Sequence, residues 1–139
     1  MKIQGKVIVV TGGASGLGAA TATHLVEQGA QVILVDMNQE LGIALAQQLG
    51  EQAEFVQLDV TDEQAVETFF AQVENKYGQL NGLVNCAGIA PSAKVLGKKG
   101  IHELAMFQKV LNINVAGTFS MLRHAAALIA KYQLQSDEE

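Results

Sequence analysis

Tryptophan is absent from the 139-residue sequence, proline occurs once, at Pro91, and cysteine once, at Cys86. A single cysteine excludes an intramolecular disulfide, so this is not a disulfide-stapled scaffold, and a reducing, cytoplasmic setting is expected. Basic residues are in the minority, 9 Lys and Arg against 14 Asp and Glu, for a net charge of −5. That balance argues against nucleic acid or an anionic membrane as the main partner. Lys98-Lys99 is the only basic doublet, too small to follow a phosphate backbone. No apolar run approaches the ~20 residues of a membrane span, and Met1-Lys2 leads straight into an apolar run too short for a signal peptide. No His, Cys and carboxylate grouping has metal-ligand spacing, so no metal site is expected.

Glycine and apolar residues are plentiful. There are 14 glycines, and nearly half of the chain is apolar, carried by alanine, valine and leucine rather than aromatics. Thr11-Gly12-Gly13-Ala14-Ser15-Gly16-Leu17-Gly18 concentrates four of those glycines between the apolar run Val7–Val10 and a helix-like segment, Ala19–Gln28. Strand, glycine turn and helix together form a grip for a dinucleotide pyrophosphate. Glycine admits backbone angles that a Cβ forbids and lets N–H groups approach phosphate oxygens. The following helix directs its N-terminal partial charge at the same anion. A glycine cluster alone would be only a tight turn; its strand-to-helix context favours the nucleotide site.

Apolar and amphipathic stretches alternate along the rest of the chain without repeats. Strands are expected at 6–10, 31–35, 54–58 and 82–84. Helices are expected at 16–28, from Asn38 to Gly50, and from a capping box at Thr61-Asp62-Glu63-Gln64 to Tyr77-Gly78. One long helix is expected from His102 to Lys131. The pattern predicts βαβ units and an α/β fold: a Rossmann-like doubly wound parallel sheet, strand order 3-2-1-4, with helices on both faces. A single dinucleotide-binding domain is expected over residues 1–139, incomplete at its C-terminus. In the long helix Leu104, Phe107, Leu111, Asn114, Thr118, Met121, Ala125, Leu128 and Tyr132 form one stripe. Asn114 interrupts it, either as a buried amide satisfied by backbone or as a polar group at an active site.

Three further groups fall at the carboxyl ends of expected strands, where ligands of open parallel sheets collect. Asp36 ends the second strand. Its carboxylate can accept from ribose hydroxyls and would repel a 2′-phosphate, and neither Met37 nor Asn38 is basic, which favours NAD over NADP. A charge at the N-terminus of the next helix is a compatible second role. Asp59-Val60 follows the third strand, either bordering an adenine or acting as a turn aspartate. Asn85-Cys86-Ala87-Gly88 ends the fourth, where small residues let a cofactor lie on the backbone. Cys86 reads as a small filler, not a nucleophile.

Taken in order, Thr11–Gly18, Asp36, Asp59-Val60, Asn85–Gly88 and Asn114 in Asn114-Val115-Ala116-Gly117-Thr118-Phe119 resemble successive motifs of the short-chain dehydrogenase/reductase family, over almost the whole chain. The resemblance implies that Gly12, Ser15, Gly16, Leu17 and Gly18 hold the pyrophosphate region and that Asp36 holds the adenosine ribose. It also implies that Asp59 and Val60 border the adenine and that Cys86, Ala87 and Gly88 line the cofactor. Asn114 would be the asparagine of the catalytic tetrad, bending its helix and holding a proton-relay water. Gly12–Gly18, Cys86 and Lys98-Lys99-Gly100 look like the type 2 3-hydroxyacyl-CoA dehydrogenase subgroup. NAD as cofactor, hydride transfer to or from a secondary alcohol, an acyl-CoA as small-molecule substrate and a homo-oligomer follow from the same resemblance.

The sequence departs from the family in its acid/base group. The family's tyrosine needs a lysine four residues on to stabilise the phenolate. Asn81 follows Tyr77 at that spacing and Ser136 follows Tyr132. The tyrosine, lysine and serine of the tetrad are expected beyond Glu139, so the chain reads as an N-terminal half without turnover, with a catalytically silent NAD-binding module or a structural fragment as the alternatives. His24, His102 and His124 are isolated. Ser120 and His124 lie one helical turn apart, but no third group orients the His. A central-type fourth strand left at an edge, with a half-covered final helix, predicts self-association. Light scattering at micromolar concentration should detect dimers or larger species, and a monodisperse monomer would refute the expectation.

Overall fold

The computed structural model describes residues 2–137. Six strands and five helices follow in the order β1 (Val7–Thr11), α1 (Gly16–Glu27), β2 (Gln31–Asp36), α2 (Gln39–Leu49), β3 (Ala53–Gln57), α3 (Glu63–Tyr77), β4 (Gly82–Asn85), β5 (Leu96–Gly97), β6 (Gly100–Ile101), α4 (Leu104–Leu111) and α5 (Thr118–Asp137). A π-helical segment, Asn112–Gly117, joins α4 to α5. The main sheet is parallel in the order β3-β2-β1-β4, and β5 and β6 form a separate antiparallel hairpin. This is the Rossmann-like arrangement the sequence predicts.

Strand alternation places a core on each face. Val7, Val9, Ile33 and Val35 turn toward α3 and α5, where Phe69, Phe70, Val73, Met121 and Leu128 meet them. Ile8, Val10, Val32 and Leu34 turn the other way, onto Ala22 and Leu25 of α1 and Leu45 of α2. Residues such as Val9, Ile33 and Leu34 are wholly buried, and burying a side chain of that size contributes about 1.5–3 kcal/mol. Because successive residues serve opposite faces, a one-residue slip would exchange the two cores. The register is therefore fixed, and Thr11, Asp36 and Asn85 arrive together at one edge.

Local signals explain most element ends. The Asn38 side chain accepts from the Leu41 N–H at 3.0 Å, capping α2, and Gly78 closes α3 in the left-handed conformation. At α3 the expected cap moves by one residue. Asp62, not Thr61, accepts from the Ala65 N–H, at 3.0 Å. Thr61 turns back instead, and both its N–H and its hydroxyl donate to Asp59 Oδ1, at 2.9 and 2.7 Å. The nearer carboxylate outcompetes the capping geometry.

The expected helix from 102 to 131 is also corrected. The hairpin occupies residues 96–101, α4 begins at Leu104, and the π-helical segment interrupts the run at Asn112–Gly117. One stripe therefore does not stay on one side. Met121, Ala125 and Leu128 are buried, whereas Leu104, Phe107 and Leu111 are exposed. The helix continues through Asp137, so the expected continuation beyond Glu139 lies outside the described residues.

At the amino edge of the sheet, Tyr77 donates to Glu54 Oε1 at 2.8 Å and accepts from Gln31 at 3.4 Å, while Lys76 pairs with the same glutamate. Burial, and then the hydrogen bond to Glu54, push the Tyr77 phenol above its ordinary pKa. The hydrogen bond to Glu54 likewise raises the Lys76 ammonium. Both groups bind their protons more tightly folded than unfolded, so the stability they contribute is complete below about pH 10 and is lost as pH rises beyond it. Urea midpoints should hold up to about pH 10 and fall above it. Tyr77→Phe should cost about 1 kcal/mol at neutral pH through the lost hydrogen bond and flatten part of the alkaline decline.

Candidate functional site

A cleft of about 1020 Å³ runs along the carboxyl edge of the main sheet. It is built by the turn after β1, the ends of β2 and β4, the segment after β3, and one face of the α4 and π-helical segments. Gly12, Ser15, Gly16, Leu17, Gly18, Asp36, Asp59, Val60, Cys86, Ala87 and Gly88 all line it. Four separate stretches of sequence thus share one wall because parallel strands end on the same side.

The glycine turn is compressed against its surroundings. A Cβ at Gly18 would lie 2.0 Å from the Gly12 carbonyl oxygen. A Cβ at Gly12, where φ is +62°, would lie 2.7 Å from the Cys86–Ala87 peptide. Side chains are excluded at both points, so the backbone itself forms the floor of the cleft. Helix α1 starts there with Ser15 in an extended conformation and no side-chain cap, and with no acidic residue in its first turn. Asn38 and Asp62 cap α2 and α3, but the first N–H groups of α1 are left to face the cleft, where the helix dipole favours an anion. Leu17 stands over this turn 82% exposed, an apolar side chain that no described residue covers.

Asp36 anchors the turn from the neighbouring strand. One carboxylate oxygen accepts from the Ala14 N–H at 3.1 Å and the other from the Asn38 N–H at 2.9 Å. Each oxygen retains acceptor capacity toward the cleft. The carboxylate stands at the α2 N-terminus and lines the cleft, so a charge at the helix start leaves it open to the cleft as well. Asp59 spends Oδ1 on Thr61, and no described residue donates to its Oδ2. Cys86 is a free, half-buried thiol whose N–H donates to the Thr11 carbonyl at 3.1 Å.

Asn114 stands beside the cleft rather than in its lining. Its Oδ1 accepts from the Ile89 N–H at 2.8 Å and its Nδ2 donates to the Ile89 carbonyl at 2.7 Å. This describes the backbone-satisfied amide. It also pins the segment after β4 to the π-helical segment that carries Asn114. Lys109, Asn112 and Ile113 line the cleft as well. Sequence reasoning missed them because the apolar stripe drew attention to Asn114 instead. Their spacing of three and four was the available signal.

The two tyrosines lie elsewhere. Tyr77 is at the opposite sheet edge, and Tyr132 donates to Glu74 Oε1 at 3.1 Å on the last turns of α3. Burial and the glutamate hydrogen bond raise both phenols above their ordinary pKa, the opposite of what a general base needs. Ser120 Oγ and His124 Nε2 are both buried without a hydrogen-bond partner among the described residues, so they do not form a Ser–His pair. Among the described residues no group of three or more His, Cys, Asp or Glu is placed to hold a metal, and no helix is long and apolar enough to cross a membrane.

A parallel α/β sheet with an uncapped glycine turn and a carboxylate at the end of β2 is a Rossmann-like arrangement, with its cleft at the carboxyl edge where ligands of such sheets collect. The chain belongs to the short chain dehydrogenase family, whose model matches residues 6–134. It is similar to the 3-hydroxyacyl-CoA dehydrogenase type-2 of Drosophila melanogaster, 43% identical over 97% of this chain and 54% of that protein. The Homo sapiens protein of the same name is 47% identical over 89% of this chain and 48% of its own length. A (+)-cis,cis-nepetalactol synthase of Nepeta racemosa is 39% identical over 90% of this chain and 46% of its own length. The chain spans about half the length of the curated relatives it matches, and the match is to the N-terminal region of the family. Dehydrogenases of this family generally use a nicotinamide cofactor.

The crowding at Gly18 gives a direct test. Gly18→Ala must displace either the turn or α1, and overpacking of this kind costs about 1–3 kcal/mol. A urea denaturation series should show a loss of about that size, and an unchanged midpoint would mean that the turn has slack.

Proposed function

We propose that the cleft binds NAD, with the chain serving as a dinucleotide-binding domain of a short-chain oxidoreductase. The convergence of four sequence stretches on one sheet edge is the observation that carries this reading. The first-turn N–H groups of α1 and the backbone of Gly12, Ser15, Gly16, Leu17 and Gly18 would hold the pyrophosphate. Asp36 would accept from the adenosine ribose hydroxyls, and its charge, with no basic residue at Met37 or Asn38, disfavours a 2′-phosphate. Asp59 and Val60 would border the adenine. Cys86, Ala87 and Gly88 would lie under the cofactor toward its nicotinamide end. When bound, the nicotinamide supplies the hydride acceptor or donor for a secondary alcohol or ketone.

The names of the closely similar relatives support a 3-hydroxyacyl-CoA as the alcohol. Asn114 would act by holding the segment after β4 in place and orienting a water for proton relay. The exposed residues Leu104, Phe107, Val115, Phe119 and Leu122 suit a homo-oligomer contact. For these 139 residues alone, the placement of both tyrosines at the far edge favours cofactor binding without turnover.

Calorimetric titration with NADH tests the reading. The wild-type chain should bind NADH more tightly than NADPH. Asp36→Ala should weaken NADH by roughly 10-fold or more, the cost of charge-assisted hydrogen bonds. No NAD reduction should appear with 3-hydroxyacyl-CoA. Absence of NADH binding would refute the cofactor assignment, and turnover would refute the silent character of the chain.

A further inference from the structure

The cleft has an electrostatic imbalance that one unused residue can correct. Its charged lining residues are Asp36, Asp59 and Lys109. A polyanionic ligand entering between two carboxylates is repelled unless a cation offsets them. Lys109 is that cation. It is exposed and forms no ion pair or side-chain hydrogen bond with any described residue, whereas Lys76, Arg123 and Lys131 are each paired with a glutamate.

Its position follows from the helix. Lys109, Asn112 and Ile113 share one helical face and line the same wall. Two turns later Gly117 packs on Val60, where a Cβ would lie 2.5 Å from Val60 Cγ2. That contact fixes where the helix passes the sheet edge. Lys109 lies eight residues before that contact on the same helical run and lines the cleft. A lysine suits such a station because its compact charge rides on a flexible stem.

We infer that Lys109 is an electrostatic anchor for the phosphate groups of an adenine nucleotide in this cleft, a positioning residue that offsets Asp36 and Asp59. The inference rests on the reading of the cleft as a dinucleotide site. An uncharged adenosine gains little from the anchor, whereas ADP and NADH gain both affinity and salt sensitivity.

Ligand-observed NMR on the 139-residue chain, with ADP, NADH and adenosine as probes, tests it on the wild type, Lys109→Met and Lys109→Arg. Lys109→Met should weaken ADP and NADH about 3- to 5-fold, the range of a partly screened ion pair, and flatten their salt dependence. Adenosine binding should be unchanged, and Lys109→Arg should restore the anionic ligands. Unchanged ADP affinity and salt dependence in Lys109→Met, with wild-type ADP binding intact, would overturn the anchor alone. Equal weakening of adenosine would also overturn it, by showing a packing role. Failure of the wild-type chain to bind ADP or NADH would overturn the dinucleotide reading and the anchor with it.

Discussion

Thr11 is fully buried, and its hydroxyl holds the carboxyl ends of β1 and β4 together. It donates to Asn85 Oδ1 at 3.3 Å and accepts from the Ala87 N–H at 3.1 Å, while the Thr11 carbonyl accepts from the Cys86 N–H. The next residue, Gly12, lies against the Cys86–Ala87 peptide with no room for a Cβ. A buried hydroxyl with both its donor and acceptor roles filled adds directional hydrogen bonds where hydrophobic packing alone would allow sliding. The glycine turn can therefore neither drift from β4 nor close over it. The cleft floor, the start of α1 and the path of the chain after β4 all depend on that junction.

The second constraint acts from the other side of the cleft. Asn114 binds both backbone groups of Ile89, and the π-helical segment carries it there. A regular helix from Leu104 would have kept the stripe on one face and presented position 114 differently. One widened turn instead rotates the two halves relative to each other. The C-terminal half packs Met121, Ala125 and Leu128 into the core, while the N-terminal half leaves its apolar residues exposed and turns Lys109, Asn112 and Ile113 to the cleft. The structural and chemical readings of Asn114 are thus not exclusive. An amide has two N–H donors, and Ile89 accounts for one of them.

What the sequence revealed follows the range of the forces involved. Val7–Val10, the turn glycines, Asn38 and Gly78 act over a few residues, and they were legible because their partners lie within a turn of the chain. Strand order was legible because short right-handed crossovers leave few choices. The cap of α3 was misplaced because Thr61 has a nearer acceptor, Asp59, which a capping-box pattern does not weigh. The interruption of the last helix was illegible from periodicity, since it answers to Ile89, 25 positions away. The hairpin at 96–101 was likewise hidden, because two-residue strands carry no period.

Charge is partitioned by the same geometry. Three of the carboxylates that meet helix starts are committed: Asp36 to Ala14 and Asn38, Asp59 to Thr61, and Asp62 to Ala65. Each satisfies local N–H donors, yet none caps α1. An Asp or Glu in the first turn of α1 would satisfy its donors internally and compete with any phosphate. The uncapped start, the small residues below it and the acceptor at the end of β2 therefore point to one ligand polarity: an anion over α1, hydroxyl donors at Asp36. A dinucleotide, the ligand proposed for this edge, would present those two groups in that order.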